Sequence, residues 1–338
     1  MKKFFTLALA TLMAGNMMAQ MHGALKFAGA STANVMNQNV ENPSDTVKFE
    51  MVNAASGNIN LPNITKDNLE IPPFTIANVA FTMGANHVVT MADQTFTSKV
   101  TVGGEEKNIT GSSLKGTYNM ADNSLTLNLT FKYGAMPFDM TYSIKAYYIK
   151  PVASAITVNV GGAFNYTNEN VSYNVRKYID NNVEKVDVEI PTYTLDNTVM
   201  GNLTLGTYTI KGLTYDEEKG GFYRDYKNDG LSFHFTAETG SKKTMDGDYS
   251  FNPEKNNNIL VKYNGNKVED IVNTFQMGSM PFAIVTKFDT NSSGITSVTN
   301  DEKNNKINDG KIYNIYGQVV SEDYKGIVII NGKKYLKK

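Results

Sequence analysis

The chain contains no cysteine and no tryptophan, and only three histidines. Without thiols there are no disulfide staples, no thiolate nucleophiles and no zinc–thiolate sites. His22, His87 and His234 lack the H-x-x-x-H spacing of a helical zinc motif. No G-x-S-x-G elbow nominates a catalytic serine. A formal net charge of −1 with 19% charged residues gives no basic surplus for nucleic acid. The 16 methionines, which would otherwise suggest haem ligands, fall largely in the N-terminal segment or on apolar faces, where packing explains them. No later apolar run approaches the roughly 20 residues of a membrane-spanning helix. No long helical stripe is present either. The expectation is a non-enzymatic protein with no metal, no cofactor and no catalytic residue.

What is present begins at the N-terminus. MKKFFTLALATLMAGNMMAQ pairs Lys2 and Lys3 with a short apolar core and closes on small and polar residues. That is the layout of an export leader, with cleavage expected at Ala19 or Gln20. The mature chain, with no following cysteine for a lipid anchor, is expected to be exported.

The middle of the chain alternates with period two. In SLTLNLTFKY, Leu125, Leu127, Leu129, Phe131 and Tyr133 share one side, while Thr126, Asn128, Thr130 and Lys132 share the other. Phe138, Met140, Tyr142 and Ile144 continue the apolar side after a break. This is the mark of half-buried antiparallel strands, and KVDVEI (185–190) and LSFHFT (231–236) repeat it. Asp229-Gly230, Asp246-Gly247 and Asn264-Gly265 read as turns.

One five-residue phrase occurs twice, GAMPF at 134–138 and GSMPF at 278–282, so the offset is 278 − 134 = 144 residues. FTIANVAFT (74–82) resembles YTIKGLTYD (208–216), and LKGTYNM (114–120) resembles MDGDYSF (245–251). Two diverged copies follow, with the largest insertion expected between Lys262 and Met277. In each phrase glycine permits positive φ at a chain reversal, and proline is tolerated where the last strand begins. Strands with one apolar face must hide that face and manage their edges, which closure into an eight-stranded barrel achieves; a two-sheet sandwich is the competing arrangement.

The strand pair ALKFAGAS (24–31) and AITVNVGG (155–162), the PFTIANV and TYTIKGL stretches, the GTY and GDY turns and the strands around G-x-M-P-F carry a family likeness. The sequence resembles the secreted calycin-like (lipocalin-like) β-barrel proteins of Bacteroidetes, which often hold two barrels in tandem. The resemblance implies an all-β fold: a leader (1–20), one barrel over 21–152 and a second over 153–290. A polar linker (291–306) then leads to a small β module (307–338). That module, with Asn331-Gly332 suited to a tight hairpin, resembles the C-terminal sorting domain of type IX secretion substrates. It implies a partner in the secretion machinery and a cell-surface or extracellular destination, with the periplasm as the alternative.

Two roles compete. In the first, the barrels enclose a small apolar ligand against the inner face at Phe131, Met136, Phe138, Met140, Tyr142, Met280, Phe282 and Ile284. In the second, packed barrels form a cell-surface or matrix interaction module. A void of several hundred Å³ separates them. Asp45-Thr46-Val47 also resembles the acidic–hydroxyl–apolar O-glycosylation site of such exported proteins, with Thr46 as acceptor. Asp246 and Asp248 around Gly247 suggest turn chemistry rather than a Ca²⁺ loop, which would need a later acidic ligand.

Overall fold

The computed structural model describes residues 24–84, 87–198, 200–289, 312–314, 319–321, 326–330 and 333–337. They belong to two units, residues 1–290 and 291–338. The expected leader with Ala19 and Gln20, His22 and the 291–306 linker lie outside the described residues. All named elements are strands.

The first copy holds β1 (Leu25–Val35), β2 (Gln38–Asn53), β3 (Ser56–Leu61), β4 (Ile64–Lys66), β5 (Leu69–Ile71), β6 (Phe74–Ala80), β7 (Thr82–Met83), β8 (Val88–Val102), β9 (Glu105–Asn119), β10 (Ser124–Tyr133) and the start of β11 (Met140–Val160). Its ladders run β7–β8–β9–β10–β11–β1–β2–β3–β6, and β6 and β7 are one segment interrupted at Phe81. The circuit thus returns on itself with eight staves. At the β6–β8 seam side chains replace the ladder. The Gln94 amide accepts from the Ala80 N–H and donates to the Ala80 carbonyl, both at 2.9 Å. Ser98 Oγ donates to Thr75 O at 2.7 Å.

The second copy uses the rest of β11 with β12 (Phe164–Asp180), β13 (Val183–Ile190), β14 (Tyr193–Thr198), β15 (Gly201–Leu205), β16 (Tyr208–Asp216), β17 (Gly221–Asp225), β18 (Ser232–Thr239), β19 (Lys242–Ser250), β20 (Asn258–Asn264), β21 (Lys267–Phe275) and β22 (Ile284–Asp289). Its eight-strand circuit is β11–β12–β13–β16–β17–β20–β21–β22 and back to β11. β14, β15, β18 and β19 form a separate four-stranded sheet. The long hairpin β8–β9 of the first copy, already kinked by register shifts around Gln94, is here broken outright. Its inner halves stay in the barrel as β17 and β20, while its outer halves leave as β18 and β19.

That break corrects three expectations. MDGDYS lies in β19 and pairs only with β18, whereas LKGTYN lies in β9 and pairs with the strand preceding the corner. The two stretches are not equivalent, and the true counterpart of LKGTYN is β20, which pairs with β21. Nor does the extra length sit between Lys262 and Met277, where a tight turn joins β20 to β21. It sits in the breaks around 226–231 and 251–257. Asp246-Gly247 is not a turn but mid-strand.

The twin phrase does mark one corner. Gly134 and Gly278 have φ of 58° and 41°. Met136 N–H donates to Tyr133 O and Met280 N–H to Met277 O, at 3.2 and 2.9 Å. Each corner leads into the final strand of its copy, β11 or β22. Leu125, Leu127, Leu129, Phe131 and Tyr133 are buried as their alternation requires.

β11 serves both rings. Through Tyr148 it is laddered to β1 and β10; from Ile149 it is laddered to β12, and from Ala155 also to β22. The rings therefore meet inside one strand, not at a linker. Beside this junction Arg176 of β12 donates to Ala28 O of β1 at 2.9 Å and pairs with Asp187. Asp187 Oδ1 also accepts from Gly212 N–H at 2.8 Å and from Tyr178 Oη at 3.1 Å. Tyr178 lies 6.2 Å from Tyr147, centroid to centroid.

In the second unit, β23 (Ile312–Asn314), β24 (Val319–Val320), β25 (Gly326–Ile330) and β26 (Lys333–Lys337) form an antiparallel sheet in the order β24–β23–β25–β26. Ile330 faces Lys333 across the β25–β26 ladder.

Candidate functional site

The barrel interiors are filled. In the first, Phe27 packs edge-on to Tyr118 with centroids 5.0 Å apart, Phe49 to Phe81 at 5.7 Å, and Phe74 against Phe131 at 5.8 Å. In the second, Phe251 gathers Tyr208, Tyr226, Phe233 and Phe275, all within 5.7 Å. Such rings occupy the space that a calyx ligand would need.

Each expected inner-face residue has a definite place. Phe131, Met140, Tyr142 and Ile284 are buried core residues. Met136, Phe138 and Met280 are half-buried at the two corners, packed on the core rim. Phe282 does not face inward: it is 54% exposed and lies over Gly161. The corner ends one residue before the strand takes up its register, so the alternation that orients Ile284 does not reach Phe282.

Polar groups inside the barrels were not legible as a set. In the first barrel Asp45, 8% exposed, points inward from β2. It accepts from Ser31 Oγ at 2.6 Å, Tyr142 Oη at 3.0 Å and Asn42 Nδ2 at 3.1 Å. Burial, then the Asp45 charge, pushes the Tyr142 phenol far up. In the second barrel Tyr226 Oη donates to Asn273 Oδ1 at 2.8 Å, and Asn273 Nδ2 donates to Tyr208 Oη at 2.7 Å. Desolvation also raises the phenols of Tyr173, Tyr193, Tyr208 and Tyr226.

On the outside, β8, β9 and β10 present cross-strand rows. Thr97 faces Thr110, which faces Lys132; Thr90 faces Thr117, which faces Thr126, with the last two hydroxyls 2.8 Å apart. An open groove of about 550 Å³ lies over Thr95, Thr97, Thr110, Ser112, Lys132 and Asp139. A second hollow, of about 30 Å³, lies where Tyr148 and Lys150 meet Tyr263 and Val268. Both hollows are at the surface, one open and one minute.

His234 faces outward from β18, as its alternation requires. Its ring nitrogens meet Asp248 Oδ1 and Asp246 Oδ1, each at 2.9 Å, and Lys243 also reaches Asp246 at 3.0 Å. The carboxylates are engaged by cations of the chain itself, and no metal-binding cluster occurs among the described residues. Thr46 is half-buried in β2 opposite Ala28. Its neighbour Asp45 is turned into the barrel.

Residues 24–144 and 154–291 each match the calycin-like beta-barrel domain. The chain belongs to that family, with its domain present twice in tandem. Calycin-like domains are typically binding folds without catalysis. Among solved structures, a presumptive outer membrane protein of Bacteroides fragilis is 13% identical, over 80% of this chain and 97% of its own, with a TM-score of 0.25. No curated protein matches the sequence.

Proposed function

We propose that the protein is an exported, non-enzymatic binding protein of the cell surface or matrix that engages its partner through barrel exteriors rather than a calyx. The filling of both interiors by aromatic side chains carries this reading over the enclosed apolar ligand. The leader-like residues 1–20 and the sorting-like tail support export, with the secretion machinery as the tail's partner. The open groove over Phe96, Thr97, Thr110 and Lys132 is a recess available for such engagement.

Native mass spectrometry of protein purified from its own host separates the two roles. A mass equal to the polypeptide plus any covalent modification is expected. A stoichiometric small molecule that is released on unfolding would restore the calyx reading. Binding of the labelled protein to host cells, weakened by Lys132→Glu at the groove, is the positive counterpart.

A further inference from the structure

The outer faces of the two barrels differ, and the ladders align them row by row. On the first barrel Thr117 of β9 faces Thr126 of β10, which faces Lys145 of β11. One row along, Lys115 faces Asn128, which faces Ser143 and then Thr32 of β1. The corner offset (278 − 134 = 144) carries Thr126, Asn128, Ser143 and Lys145 onto Asp270, Val272, Lys287 and Asp289. In the second barrel the matching rows read Lys262–Asp270–Asp289 and Leu260–Val272–Lys287–Thr157. That face mixes both signs of charge with aliphatic side chains. The first barrel's rows hold only hydroxyls, an amide and two lysines.

Lys115 and Lys145 are exposed and hold no ion pair among the described residues, unlike Lys99, Lys177 and Lys185. Carboxylates flank these rows rather than joining them. Glu41 stands opposite Thr32, and Asp93 accepts from Ser113 Oγ at 2.5 Å. The rows also lack an aromatic or aliphatic anchor, on which a protein interface centres and single-stranded nucleic acid stacks. What they offer is one hydroxyl, amide or ammonium per strand, repeated about every 4.8 Å across the sheet. The β-branched threonines are stiff at χ1, so little side-chain freedom is lost on binding. Such a face suits a polymer that is itself rich in hydroxyls and carries acidic groups.

We infer that the outer face of β9, β10, β11 and β1 is the docking surface for an acidic polysaccharide. The sugar hydroxyls meet the threonine, serine and asparagine side chains, and the anionic groups meet Lys115 and Lys145. The inference rests on the reading that the barrel exteriors engage the partner, and it names the partner's class. The groove over Lys132 lies on the same face of β10. Uncompensated positive charge favours the anionic polymer over a neutral one and makes its binding salt-dependent.

The test measures binding of the full chain to immobilised polygalacturonate and heparin, with dextran as the neutral control. Binding to at least one acidic polymer is expected, weakened by added salt. Lys115→Glu combined with Lys145→Glu should reduce it about tenfold, as two surface charge contacts are lost. The same reversal at Lys262 and Lys287 of the second barrel should leave it unchanged. Both double variants should melt with the parent, because the substituted side chains point outward. No binding to either acidic polymer, equal binding to dextran, tighter binding to single-stranded DNA, or equal losses from the two double variants overturns the inference. If host cells still bind the labelled protein in that case, the exterior reading stands and only the partner class is wrong. Loss of cell binding as well removes both.

Discussion

Replacing Asp187 by alanine tests how the two barrels are held together. Its carboxylate is 7% exposed and its partner guanidinium 13%, so both charges are largely removed from water. Alanine would leave Arg176, the Gly212 N–H and the Tyr178 hydroxyl without their acceptor. Breaking a buried pair from one side costs about 3–5 kcal/mol, and the residual exposure of Arg176 places this case near 3. At about 2–4 °C per kcal/mol for a unit of this size, Tm should fall by roughly 6–12 °C. Thermal unfolding followed by circular dichroism reads this directly. Arg176→Met with Asp187→Leu should recover most of the loss, because an apolar pair of similar bulk strands no charge. Arg176→Lys in the parent should itself lower Tm, since a single ammonium lacks the planar fork that reaches both Asp187 and Ala28 O. A melt of Asp187→Ala within about 1 °C of the parent would refute the reasoning and reduce the network to surface decoration.

Other outcomes follow from single positions. A Cβ at Gly111 would lie 2.0 Å from the Phe96 ring opposite it, so Gly111→Ala should cost about 1–3 kcal/mol, read in urea. Gly84→Ala, with nothing nearer than 3.5 Å, should be near neutral. The His234 pKa is raised above its ordinary 6.5, first by the hydrogen bond to Asp248 and then by Asp246. The imidazolium thus favours the folded state below pH 6.5, and that contribution fades as pH rises through the folded pKa. An NMR titration midpoint above 6.5 that drops in Asp248→Asn is expected, and a midpoint at or below 6.5 contradicts it. Deleting residues 291–338 should leave barrel melting unchanged while the protein accumulates in the periplasm. Unchanged localisation would end the sorting role of the tail.

Much of the architecture was legible because strand alternation is local. The buried face of β10 and the outward His234 each depend on neighbours two residues away. The repeated Gly-x-Met-Pro-Phe corner was legible for a similar reason: a positive-φ glycine followed by proline constrains the backbone within five residues. The likeness of FTIANV to YTIKGL found equivalent strands, β6 and β16, for the same local reason.

Pairing, by contrast, joins residues far apart in the chain, and short likenesses do not report it. LKGTYN and MDGDYS look alike, yet one lies within a barrel and the other in a separate sheet, because the second hairpin breaks at 226–231 and 251–257. Alternation also marks a side chain as inward or outward without saying what covers it. Asp187 occupies an outward position on its strand and is nevertheless buried, since Arg176 of the neighbouring strand β12 pairs with it while reaching Ala28 O of the first barrel. Whether the barrels were hollow or filled depended on where rings from different strands meet. So did the pairing of Asp45 with a tyrosine 97 residues away. The sequence by itself determined an all-β chain of two related copies; only the tertiary structure decided that their interiors are packed, because volume and hydrogen-bond matching exist only once distant strands are side by side.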